Sequence, residues 1–199
     1  MNANTWNHPR LGEFEQDDLW WRREITLPSL DSFTYYHYVI PGRGPERLPF
    51  ELVLQCDAEG EQPTEEMASL AAAVLDNEPR LMPTVLEAIW SDLNGRGLDS
   101  GMWWHGDLPY AYLGGNFASA VQENLTDFAL PIPASASDLL KILEPKDLLI
   151  RRDFSPPDQW LASLNFHAGF EVEHGLGVLT NGVEILGIGY SVDATRFKQ

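Results

Sequence analysis

One cysteine, Cys56, stands in a chain of 199 residues, so no intrachain disulfide can form. Cations are scarce as well: 13 Lys and Arg face 30 Asp and Glu, a formal net charge of -17. Binding to a phosphate backbone needs local cationic density, and the nearest approach to it is two arginine pairs, Arg22-Arg23 and Arg151-Arg152. This scarcity argues against nucleic acid and against an anionic membrane surface as partners. No apolar run reaches the length that spans a bilayer, and no charged-then-apolar leader opens the sequence, which leads to the expectation of a cytoplasmic protein. Also missing are a Gly-x-Ser-x-Gly elbow, a phosphate loop, a dinucleotide fingerprint and a His-Glu-x-x-His pair. No catalytic residue, metal ligand or cofactor is therefore assigned.

What is present is a globular composition, 44% hydrophobic and 22% charged, of a length that suits one domain over residues 1–199. Strands are expected over 10–14, 19–27 and 33–40. Leu48, Phe50, Leu52, Leu54 and Cys56 alternate with polar or smaller neighbours, the period of a half-buried strand. In that setting Cys56 reads as a small buried hydrophobe. Thr64 is a suitable N-cap for a helix that carries Glu65 and Glu66 in its first turn, where the helix dipole favours negative charge. Met67, Leu70, Ala71, Val74 and Leu75 follow at helical spacing. A second helix is expected after Pro79, with Met82, Val85, Leu86 and Ile89 on one side and Pro83 as an awkward early residue. Residues 98–135 have no period and hold many aromatic and glycine residues, so they read as an elaborated insertion. Ser137 caps a short third helix over 138–143 that Pro145 stops. Strands return over 147–154, 164–173, 176–179 and 183–190, the last two joined by Asn181-Gly182, a strong hairpin signal. Helices grouped between two runs of strands give an α+β fold: a mainly antiparallel sheet, two central helices on one face and a short third.

Three features suggest chemistry. Between Asp57 and Glu78 there are seven carboxylates and no Lys or Arg. Glu59, Glu61, Glu65 and Glu66 from this run form a candidate face for a basic protein, because opposite charge steers association. The same residues also serve as an ordinary solvated helix start. The doublets Trp20-Trp21 and Trp103-Trp104 come next. Neighbours on a strand point to opposite faces, so at most one of Trp20 and Trp21 enters the core. Trp103 and Trp104 are candidate interface anchors. Last, His167, Glu171, Glu173 and His174 bear side chains that metals use, and His105 with Asp107 could form an acid/base pair. Neither spacing matches a ligand motif.

In order along the chain, His8-Pro9-x-Leu11-Gly12, Glu61-x-Pro63-Thr64-Glu65-Glu66 and Glu173-His174-Gly175-Leu176-Gly177-Val178 resemble bacterial proteins with a domain of unknown function, some of them similar to immunity proteins of polymorphic toxin systems. The resemblance covers most of the chain outside 98–135 and implies no activity. The acidic and aromatic residues favour a non-enzymatic binding protein, immunity-like in role, that masks a basic partner with Glu59, Glu61, Glu65, Glu66, Trp103 and Trp104. A metal-dependent hydrolase using His167, Glu171 and His174, or His105 and Asp107, is the alternative. A structural domain without a ligand is the second.

Overall fold

The computed structural model describes residues 4–37, 39–40, 44–94, 96, 119–153, 158–191 and 194–197. Its frame is an eight-stranded sheet in the order β1-β2-β3-β6-β7-β8-β9-β10. The strands are β1 (Thr5–His8), β2 (Gly12–Asp17), β3 (Trp20–Ile25), β6 (Phe50–Gln55), β7 (Leu143–Asp153), β8 (Gln159–Ala168), β9 (Glu171–Thr180) and β10 (Ile185–Gly189). β4 (Val39–Ile40) and β5 (Gly44–Pro45) form a separate two-stranded ribbon, so the strand expected over 33–40 is reduced to its last two residues. β6 and β7 are parallel; the other neighbours in the large sheet are antiparallel. The fold is α+β, as the grouping of helices between strand runs implied.

The parallel pair is bridged by the long helix α1 (Glu65–Leu93), which lies on one face of the sheet. Two helices were expected here and one is found, running through Pro79 and Pro83. An interior proline costs about 3 kcal/mol in an exposed helix. Both prolines are exposed, so the carbonyls they leave without an intrahelical donor lie toward water. The buried face is continuous through them: Met67, Ala71 and Val74 precede, and Leu81, Val85 and Ile89 follow, all at most 2% exposed. They pack against Leu52 and Leu54 of β6, Ile150 of β7 and Leu164 of β8. This shared core outweighs the local proline penalty. The start of α1 is as expected: the Thr64 hydroxyl accepts from the Met67 backbone at 3.3 Å.

A second helix, α2 (Ser119–Asp127), occupies the aperiodic stretch where none was expected, and its Val121 and Leu125 join the main core. Asn124 donates to the Phe170 carbonyl at 3.0 Å, which ties α2 to the sheet. The short third helix is a 3₁₀ segment, Ala136–Lys141, preceded by Ser135 in place of Ser137, and Pro145 falls inside β7. The other face of the sheet is partly covered by the C-terminal segment, where Ala194 packs with Leu161 and Leu179. Asn165 donates to Asp147 there at 2.6 Å, and burial raises the Asp147 carboxyl above its ordinary range.

The run 164–173 is not one strand. β8 ends at Ala168, a tight turn follows, and β9 starts at Glu171, its pairing partner. The alternation persists because Phe170 in the turn enters the core at 2% exposed. Beyond Ala168–Glu171 the next pair is Phe166–Leu176, so residues 172–175 stand opposite His167 alone. Val172, Glu173 and His174 are pushed out to solvent by this bulge, which ends at Gly175 with φ +65°.

Candidate functional site

β6 delivers its chain end at the bottom of the acidic run. Cys56 is buried at 4% exposed, and its thiol is pushed up to about 11 by burial first and by Glu61 and Asp57 second. It is an inert core residue there. Residues 57–63 then loop from the end of β6 to the N-cap of α1. The loop is fastened by Trp21, whose indole N–H donates to the Glu61 carbonyl at 2.9 Å. Trp21 is the member of its doublet that enters the core, 2% exposed. Trp20 is half-buried beneath the Arg22 guanidinium, 5.6 Å from the ring centroid.

Between this loop and the ends of β7 and β8 lies a cleft of about 520 Å³. Its charged lining is Asp57, Glu61, Glu66, Asp158 and Arg152. Arg152 reaches in from β7 and is held by two carboxylates. It grips Asp158 with two parallel bonds of 2.8 and 2.7 Å and Asp57 with a third of 2.7 Å. Its guanidinium also lies 5.8 Å from the ring centroid of Trp160. These bonds pull Asp158 below the usual carboxylate range. Four carboxylates against one guanidinium leave the cleft strongly negative, with an indole on one wall. Such a site suits an ammonium or guanidinium group on a side chain.

The seven carboxylates of the run do not form one open face. Asp57 is neutralised by Arg152, Asp76 is paired with Arg10, and Glu78 is buried with the Ser29 hydroxyl donating to it. Glu65 is turned toward His8 at 3.5 Å. Of the candidate residues, Glu61 and Glu66 line the cleft, while Glu59 and Glu65 are exposed outside it. Glu61 also accepts from the Ala58 backbone at 3.1 Å, which orders the loop. Trp103, Trp104, His105 and Asp107 lie outside the described residues. The residues that sequence reasoning missed are Arg152, Asp158 and Trp160. Arg151-Arg152 was visible only as a cationic pair, with no sign that it would be opposite Asp57.

The metal-type cluster is not assembled. Among the described residues no group of three or more His, Cys, Asp or Glu is placed to hold a metal ion. His174 pairs with Glu171 at 3.1 Å, whereas His167 stacks on His37 with ring centroids 4.4 Å apart and planes 5° from parallel. Beside them Glu144, fully buried, accepts from the His37 backbone at 2.7 Å. Burial, then His37 and Lys146, push His167 from its ordinary 6.5 down to about 4. Between those values the unfolded chain binds the proton and the folded one does not, so stability is expected to fall as pH drops through that window. Urea midpoints at about pH 7 and about pH 5 check this: His167→Gln should show a smaller loss than the wild type. An equal loss in both would place the acid sensitivity elsewhere.

A family model described as a domain of unknown function (DUF6985) matches residues 10–195. The chain belongs to that family. The DUF6985 match runs through both sides of the cleft, from the Trp21 anchor to Trp160, and through the aperiodic stretch around α2. No curated protein and no solved structure matches the chain. No helix among the described residues is long and apolar enough to cross a membrane.

Proposed function

We propose that this DUF6985 protein is a non-enzymatic binding protein, immunity-like in role, that masks a basic protein partner in the cytoplasm. The cleft carries the reading: Asp57, Glu61, Glu66 and Asp158 converge there around a single guanidinium. A lysine or arginine side chain of the partner enters beside Trp160. The surrounding Glu59 and Glu65, both exposed, extend the negative field and raise the rate of encounter. The sequence adds Trp103 and Trp104 as aromatic anchors on the same single-domain chain.

The test is affinity capture from a lysate of the source organism, with the wild type and a Glu61→Gln/Glu66→Gln variant side by side. A protein of high isoelectric point should be held by the wild type at about 50 mM salt, released at about 300 mM, and held poorly by the variant. Capture that ignores both salt and the two substitutions would count against the reading.

A further inference from the structure

A second cavity, of about 790 Å³, has the opposite character. It opens where β3 ends and β6 begins, on the side of the sheet that α1 covers. Leu11, Ile25, Leu27, Leu52 and Leu75 form much of its apolar wall, and three arginines, Arg10, Arg23 and Arg47, line it together with Glu24 and Asp31.

Arg23 is the unexpected one. It is the cross-strand partner of Leu52, just as Trp21 is of Leu54, so it occupies a core-facing position on an interior strand. A hydrophobic residue is the ordinary occupant of such a position. Arg23 is half-buried, and among the described residues it has no hydrogen bond and no carboxylate within ion-pair distance. Room for its guanidinium is made by Gly12, which has φ +80° and on which any Cβ would collide with it. Arg47 is similar. It donates to the carbonyls of Leu30 and Phe33 and lies 5.3 Å from the Tyr36 ring centroid, but its buried Nε has no partner. Arg10, by contrast, is already paired with Asp76.

The chain has 30 carboxylates, yet among the described residues none lies within ion-pair distance of Arg23 or Arg47. A half-buried guanidinium without a counter-charge keeps donors free for an anion, which gains charge-assisted hydrogen bonds on arriving there. We propose that this cavity binds a small amphipathic monocarboxylate, its head between Arg23 and Arg47 and its apolar body along Leu11, Leu52 and Leu75. A single negative charge fits better than a phosphate dianion, because Glu24 and Asp31 also line the cavity. The size is within the range of small-molecule sites, roughly 300–1,000 Å³. This site is separate from the acidic cleft and does not depend on its role.

The test is isothermal calorimetry on the full chain with decanoate, kept below its micelle concentration, with decanol and decylammonium as controls. Decanoate should bind saturably and raise the melting temperature, and the two controls should bind at least about tenfold more weakly. Arg23→Met keeps the length and removes the charge; it should lower decanoate affinity about tenfold or more while the ligand-free protein melts no lower than wild type. Leu48→Trp, placed at an exposed position of the rim, should block binding without unfolding the core. Absence of saturable decanoate binding, equal binding of decanol, or unchanged affinity in Arg23→Met would each overturn the proposal.

Discussion

Trp21→Ala is expected to lower the unfolding free energy by about 3–5 kcal/mol, the largest effect of any single substitution in the loop and its support. The indole is 2% exposed, sits cross-strand from Leu54, and belongs to the core that α1 closes. Removing it leaves a void that the packed sheet and helix cannot collapse into. Trp21→Phe separates the two roles of the side chain. It keeps most of the apolar volume but loses the bond to the Glu61 carbonyl, at a net cost of about 1 kcal/mol. The loop over 57–63 should then exchange its amide protons faster while the sheet does not. Urea unfolding of the three proteins, with hydrogen exchange on the loop, checks both statements. A Trp21→Ala protein as stable as the wild type would show that the indole is not part of the cooperative core.

Gly175→Ala should also be severe, about 2 kcal/mol or more. A left-handed conformation costs a residue with a Cβ roughly 1–2 kcal/mol. At Gly175 the new Cβ would in addition stand 2.5 Å from the Phe166 carbonyl oxygen, which belongs to the neighbouring strand and cannot swing away. Gly60 is the internal control. Its φ is +81°, but nothing lies within 4 Å of the place a Cβ would take, so Gly60→Ala should show the backbone part alone. The difference between the two midpoints measures how tightly the β9 bulge is closed against β8. Equal losses would mean that the bulge relaxes freely.

Local signals were readable wherever one short segment decides the structure. The alternation of Leu52 and Leu54, the cap at Thr64 and a turn containing Asn181-Gly182, with Gly182 at φ +91°, all appear in the structure, although that turn runs on to Glu184 and the last strand starts at Ile185 rather than Val183. Signals that depend on tertiary packing were not. Pro79 and Pro83 suggested an interruption because the exposed side of α1 carries them, while the face that holds the helix together is set by strands distant in sequence. The turn after Ala168 was hidden because Phe170 kept the alternation going. The cleft had the same obstacle. Glu61 and Glu66 were legible as acidic, but Arg152 meets Asp57 across 95 residues of sequence. That pairing converts part of an apparently uncompensated acidic run into an ion pair and leaves a smaller, shaped negative site. Arg23 is the counterpart. In the sequence it is one half of a basic doublet, and only the pairing of β3 with β6 shows that it faces inward.

The most direct test of the acidic cleft is a titration of the isotope-labelled chain with tetra-arginine amide, followed by amide and indole chemical shifts. Saturable shifts are expected, concentrated on residues 57–67 and on Asp158, Gln159 and Trp160, and suppressed at about 300 mM salt and in Glu61→Gln/Glu66→Gln. Shifts spread evenly over exposed carboxylates elsewhere, such as Glu13, Glu87 and Asp127, would show a diffuse acidic surface and contradict the assignment of a site.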